Sequence, residues 1–316
     1  MIERHIILDG IDPVGFYGAN NTHLQMLKKL HPKLRIVARD NVIKAIGDEE
    51  ELERFYKVVE LLMEYCTKYN SLNEEAIIDA VNGKKGDKGS DSNVIVYNIN
   101  GKPIYPRSEN QCRLVEEFKK NDMLFAVGPA GTGKTYTAIA LAVKALKNRE
   151  IRKIILSRPA VEAGEKLGFL PGDMRDKIDP YLQPLYDALE DMIPMAKLKE
   201  YMDTNVIQIA PLAFMRGRTL NDAIVILDEA QNTTPQQIKM FLTRMGNNTK
   251  MIITGDLTQI DLPHRQASGL IQALQVLKDV KGIGFITLGK KDIVRHKLVT
   301  RIVEAYDTFD KENKEE

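Results

Sequence analysis

Met123-Leu-Phe-Ala-Val127 leads into Gly128, Pro129, Ala130, Gly131, Thr132, Gly133, Lys134 and Thr135, and then into Tyr136-Thr-Ala-Ile-Ala-Leu-Ala-Val-Lys-Ala-Leu146. The middle stretch fits G-x-x-x-x-G-K-[ST] at every fixed position. An apolar run suited to a strand precedes it and a strong helix former follows, which is the context the motif requires. Glycines let successive backbone N–H groups turn toward an anion. The helix N-terminus adds partial positive charge at the same point. In this reading Gly128 to Lys134 cradle phosphates, and Lys134 reaches the β- and γ-phosphates. Its side chain is expected to face solvent when no phosphate is bound. The Thr135 hydroxyl is a ligand for Mg²⁺.

Ala223-Ile-Val-Ile-Leu227 is a second apolar run, and it ends in Asp228-Glu229-Ala-Gln-Asn232. Open α/β sheets hold ligands at the C-terminal ends of their strands. Asp228 is therefore expected to hold Mg²⁺ opposite Thr135, mostly through water. Glu229 is expected to orient and deprotonate an attacking water. Successive residues leaving a strand point different ways, one to the metal and one to the γ-phosphate. Met251-Ile-Ile-Thr254 ends in Gly255-Asp256-Leu-Thr-Gln259. Gln259 is expected to sense the γ-phosphate, with Thr254 or Asp256 in the same water network. Upstream lies Tyr105-Pro-Arg-Ser-Glu-Asn-Gln111. The Gln111 amide can both donate to and accept from an adenine, and Tyr105 can stack on the base. An exposed Gln beginning a helix fits the same residues.

The 316 residues carry 45 Lys+Arg and 44 Asp+Glu, a formal charge of +1, so no global field argues for nucleic acid or membrane. Two cysteines, Cys66 and Cys112, show no ligand spacing, which suits a reduced, cytoplasmic setting. The five histidines form no readable ligand pattern either. Met1-Ile-Glu-Arg-His-Ile-Ile-Leu-Asp9 is too short and charged for a signal peptide. No apolar run approaches the roughly 20 residues that span a bilayer, so no membrane partner is expected.

Residues 1–82 read as a small α/β unit. Strands are predicted at 4–8, 35–39 and 42–46, and helices at 21–30 and 49–69. Gly83-Lys-Lys-Gly-Asp-Lys-Gly-Ser-Asp-Ser-Asn93 is glycine-rich, charged and free of apolar residues, the composition of a flexible linker. From 94 to 310, strand candidates at 123–127, 153–157, 206–210, 223–227, 251–254 and 284–288 alternate with helices. Such alternation predicts a mostly parallel sheet covered by helices. Residues 311–316 read as a disordered tail.

Together these residues resemble the PhoH-like family of ATPases. The signatures are Ser157 to Asp173 (SRPAVEAGEKLGFLPGD), Asp228 to Asn232, Lys239 to Gly246 (KMFLTRMG), Gly255 to Pro263 (GDLTQIDLP) and Asp292-Ile-Val-Arg-His296. Their order is also similar to the first motor domain of superfamily 1 helicases. The resemblance implies a RecA-like P-loop core that hydrolyses ATP with Mg²⁺, coupled to remodelling or translocation of single-stranded RNA. It also implies a KH-like module at the N-terminus, with Gly18-Ala-Asn-Asn21 where such a module carries a Gly-x-x-Gly loop. Asn20 and Asn21 stand in place of a second glycine and basic residues, and either could instead cap the following helix. A nucleotide-dependent switch or kinase-like enzyme without nucleic acid is the alternative.

No second motor domain follows in this chain to close the nucleotide site. Arg295 resembles the basic residue after the Gly-Asp-x-x-Gln strand and is the first candidate for a γ-phosphate contact. Arg244 is expected on a helix after the Asp-Glu strand, either reaching into a neighbouring subunit or lying in a surface salt bridge. Arg265 and Arg218 stand behind it. A wall supplied in trans predicts a ring homo-oligomer, a hexamer.

Overall fold

The computed structural model describes residues 2–69, 72–83, 94–159, 174–263 and 266–294. Its first layer pairs β1 (Ile2–Ile7), β2 (Arg35–Arg39) and β3 (Val42–Gly47) antiparallel, with β3 in the middle. Asp40, with φ of 49°, makes the tight β2–β3 turn. α1 (Pro13–Tyr17) and α2 (Thr22–Leu30) lie between β1 and β2. α3 (Glu49–Tyr69) follows β3, and α4 (Glu74–Val81) follows α3. β3 turns Ile43 and Ala45 inward at the strand period. Against them α3 lays Leu52, Phe55, Val59, Leu62 and Cys66, spaced three and four apart and all buried.

α1 is too short to carry a periodic signal. Asp12 caps it by accepting from the N–H groups of Val14 and Gly15. Gly18 to Asn21 therefore open the second helix of the chain, not the first. Asn20 and Asn21 both sit in the left-handed region, and Asn21 makes no side-chain cap bond. The capping alternative for these asparagines does not hold.

A two-stranded hairpin, β4 (Val96–Tyr97) with β5 (Pro103–Ile104), comes next. Tyr97 joins the first layer through Tyr69, with ring centroids 4.8 Å apart. α5 (Glu109–Lys120), capped by Ser108, leads to the main sheet.

That sheet contains β6 (Met123–Val127), β7 (Lys153–Arg158), β8 (Ile207–Pro211), β9 (Ala223–Leu227), β10 (Lys250–Gly255) and β11 (Ile283–Thr287). Their spatial order is β11-β6-β10-β9-β7-β8, and every adjacent pair is parallel. Each predicted strand is present, within two residues at either end. Continuous apolar runs are what strands buried on both faces need. Leu124, Ile154, Leu156, Ile224, Ile226 and Ile252 face one core layer, with α6 (Lys134–Lys147), α7 (Met174–Met192) and α8 (Met195–Asp203). Phe125, Ile155, Val225, Leu227, Met251 and Ile253 face the other, with α9 (Pro235–Leu242) and α10 (Gly269–Val276). The alanines of α6, at 138, 140, 142 and 145, are almost fully buried, so this helix sits close on the sheet. No helix among the described residues is long and apolar enough to cross a membrane. Of the predicted linker 83–93, residues 84–93 lie outside the described residues, as does the predicted tail.

Candidate active site

Strand order decides which side chains meet. β9 lies between β10 and β7, so the carboxylates leaving its C-terminal end are flanked by the last residues of two neighbours. Thr254 of β10 donates its hydroxyl to Asp228 Oδ1 at 2.7 Å. Thr135, from the start of α6, donates to the same oxygen at 2.6 Å. Arg158, the last residue of β7, sets its Nε 3.5 Å from Asp228 Oδ2 and donates Nη2 to Glu229 Oε1 at 2.9 Å. The other Glu229 oxygen accepts from Gln231 Nε2 at 2.6 Å. Asp228 is only 3% exposed. Burial pushes its carboxyl above the usual range, and the Glu229 charge adds to that. The Arg158 guanidinium and the two hydroxyls pull the other way and do not cancel it.

The glycine loop is held in shape from below. Gly128 donates to Gly255 O, and Ala130 to Asp256 Oδ2, each at 3.0 Å. Asp256 Oδ1 is itself oriented by the N–H and hydroxyl of Thr258. On the other side Gln111 Nε2 donates to Thr132 O at 2.8 Å, and Val294 N–H to Gly131 O at 3.0 Å. Two glycines are required by the geometry. A Cβ on Gly128 would lie 2.4 Å from Leu288 O, and one on Gly133, whose φ is +74°, would lie 2.8 Å from Gln111 Nε2.

A cavity of about 570 Å³ opens over this assembly. Ala130, Gly131 and Gly133 to Tyr136 line it on one side, Arg158, Asp228 and Glu229 on another, and α7 closes it with Asp187 and Asp191. Tyr136 donates its hydroxyl to Asp191, and burial together with that bond holds the phenol protonated well beyond its usual range. A larger cavity, about 700 Å³, lies between α3 and the C-terminal end of α6. Its described lining carries carboxylates and lysines but no glycine loop and no paired Asp-Glu at a strand end, so chemistry rather than size picks the site.

Several expected residues behave differently. Lys134 does not face solvent: it is 9% exposed, and its ammonium donates to Gly128 O at 2.6 Å and Pro129 O at 2.9 Å. The buried ammonium is satisfied by these loop carbonyls, since an unpaired one would be costly. Gln111 is buried under the loop with both ends of its amide engaged, Oε1 accepting from Arg107 N–H at 2.7 Å. It braces the loop and is not presented to an open base pocket. Tyr105 is 53% exposed and does not line the cavity. The Gln259 side chain is exposed outside the cavity, because the turn after β10 folds back on Asp256. Only its carbonyl connects to the site, accepting from Gln231 Nε2 at 3.1 Å. Arg244 sits in the turn after α9, with its guanidinium on Met240 O, Arg218 O and Thr243 Oγ1. Arg218 holds Gln208. Arg265 and Arg295, like residues 160–173 of the longest signature, lie outside the described residues.

Two contributors carried no assigned role from sequence, Arg158 and Gln231. Gln231 accepts from Asp256 N–H at 3.0 Å while donating to Glu229, so it ties the end of β10 to the Glu229 carboxylate. Gln111→Ala is expected to lower stability by about 1–3 kcal/mol, the scale for leaving buried backbone partners unmade. The shift in urea midpoint measures it, and an unchanged midpoint would remove Gln111 from the bracing role.

A family model described as PhoH-like protein matches residues 103–307. A PhoH-like protein of Bacillus subtilis (strain 168) is 48% identical over 301 residues, covering 94% of both chains. One from Synechocystis is 45% identical over 282 residues, covering 88% of this chain and 86% of the other. Among solved structures, the Pif1 helicase from Candida albicans aligns at 14% identity and a TM-score of 0.33, covering 64% of this chain and 43% of that one.

Proposed function

The chain belongs to the PhoH-like family, and from that premise we propose that it hydrolyses ATP to ADP and phosphate and couples turnover to single-stranded RNA. The observation that carries the reading is the convergence of Lys134, Thr135, Asp228 and Glu229 on one cavity. Thr135 Oγ1 and Asp228 Oδ1, 2.6 Å apart, are hard oxygens of the kind Mg²⁺ takes while keeping most of its waters. A carboxylate destabilised by burial also gains from a cation beside it. Bound there, the ion would neutralise charge developing on the phosphates.

The loop N–H groups and Lys134 hold the phosphates. Glu229 takes a proton from the attacking water, whose oxygen bonds the γ-phosphorus. The bond to the bridging oxygen breaks, and ADP leaves with that electron pair. The RNA component rests on the family resemblance of residues 1–82. The resemblance puts the nucleotide-clamping loop of a KH-like module at Gly18–Asn21, a turn between α1 and α2 exposed from Ala19 to Asn21, with Asn20 and Asn21 in place of its second glycine and basic residues. A ring homo-oligomer and a cytoplasmic setting belong to the same reading.

Turnover measured with and without single-stranded RNA, over a range of salt, tests it. Stimulation is expected, and it should fall steeply with salt as phosphate contacts are screened. Turnover without any stimulation at low salt would leave a nucleotide switch or kinase-like enzyme. Sedimentation across dilution tests the ring, and a strictly monomeric protein with full turnover would exclude it.

A further inference from the structure

We infer that Arg158 is a γ-phosphate sensor acting within the chain: it holds Glu229 while the γ-phosphate site is empty and moves to the γ-phosphate when ATP binds. The inference rests on the ATPase reading above and names a residue of the same site.

Among the described residues lining the cavity, Lys134 and Arg158 are the cations. Lys134 belongs to the loop cradle. Arg158 stands across the cavity at the end of β7, its side chain 18% exposed. It divides its donors between Glu229 Oε1 at 2.9 Å, Asp228 Oδ2 at 3.5 Å and the Tyr181 carbonyl at 2.6 Å. With Gln231 on Oε2, each Glu229 oxygen accepts one N–H donor, and the carboxylate is held from both sides. Arg158 is the latch on the side that faces the cavity.

Mg·ATP releases that latch in two ways. A divalent ion held by Thr135 and Asp228 would repel the guanidinium from Asp228. A γ-phosphate offers more negative charge than a carboxylate, and its oxygens match the fork geometry of Arg. Once Arg158 moves to it, Glu229 Oε1 is free to accept from water. ADP supplies no γ-oxygens, so the latch holds in the product state. Arg244 and Arg218, expected to reach into a neighbouring subunit, are committed within the chain to partners away from the cavity.

The test compares wild type, Arg158→Ala, Arg158→Lys and Lys134→Ala. Affinities for Mg·ADP and for a non-hydrolysable Mg·ATP analogue are read by fluorescence, and turnover is read separately. Arg158→Ala is expected to weaken the ATP analogue about tenfold or more, the scale of a lost charged hydrogen bond, with ADP nearly unchanged. Turnover should fall by about 10³-fold or more. Arg158→Lys keeps charge beside Asp228 but loses the fork, so its preference for ATP over ADP should lie between the two. If Arg158→Ala does not fold, the lysine variant decides: an unchanged ATP-to-ADP affinity ratio overturns the inference. Equal loss of both nucleotides, or full turnover in Arg158→Ala, also overturns it while leaving dependence on Lys134 intact. A wild type that binds neither nucleotide fails the ATPase reading instead.

Discussion

Lys134→Ala is expected to cut ATP turnover by about 10²-fold or more, the loss typical of removing a group aimed at developing charge. The fold should survive. Lys134 makes its bonds to Gly128 O and Pro129 O, carbonyls of the glycine loop itself. The loop keeps its other ties, from Gly255, Asp256, Gln111 and Val294. Loss of one such pair of bonds is worth about 1–2 kcal/mol. Circular dichroism melting should therefore move little while nucleotide binding or turnover collapses. The buried position of Lys134 adds a second expectation. Nucleotide must draw the ammonium off two carbonyls before it can pair with phosphate. Part of the gross attraction is spent on that exchange, and the alanine variant does not make it. A variant that turns over ATP at the parent rate would show that Gly128–Thr135 is an ordinary turn before a helix.

Much of this site was legible in the residues themselves. Of six short apolar runs, the four that became β6, β7, β9 and β10 are apolar enough to be buried on both faces, and a parallel sheet covered by helices is the arrangement that does so. The glycine loop and the Asp228-Glu229 pair then fell at strand ends, where open α/β sheets hold their ligands. What stayed hidden was lateral order. Nothing in the runs themselves says that β7 and β10 flank β9, so the meeting of Arg158 and Thr254 with Asp228 could not be read. Hydrogen-bond competition was equally silent. Gln111 has the chemistry to read adenine, but two backbone partners take its amide first. Arg244 has the charge of a finger, but carbonyls at the end of α9 occupy it. Short elements such as α1 and the β4–β5 hairpin are set by an Asp cap and by a few backbone bonds, too few residues for any periodicity.

Glu229→Gln and Asp228→Asn should separate the two carboxylates. Glu229→Gln keeps the size and one acceptor oxygen, so Mg·ATP binding is expected to persist while hydrolysis falls by about 10²-fold or more, the range for a positioned base. Asp228→Asn should instead weaken nucleotide binding that depends on Mg²⁺, with the metal-free affinity little changed. Stability gives an independent reading. The folded protein binds the Asp228 proton more tightly than the unfolded chain does, because burial raises its carboxyl. Stability therefore falls as pH rises from the unfolded carboxylate value, about 4, toward the raised folded value. Asn at this position carries no charge to desolvate, so that slope should flatten and the metal-free variant should unfold at higher urea than wild type near neutral pH. Added Mg²⁺ should stabilise wild type and leave the variant unmoved, since a ligand stabilises only the state that binds it. Both variants losing nucleotide binding equally, with the same response to Mg²⁺, would sink the division of roles. It would make Asp228 and Glu229 a single electrostatic unit, with the proton of the attacking water taken elsewhere.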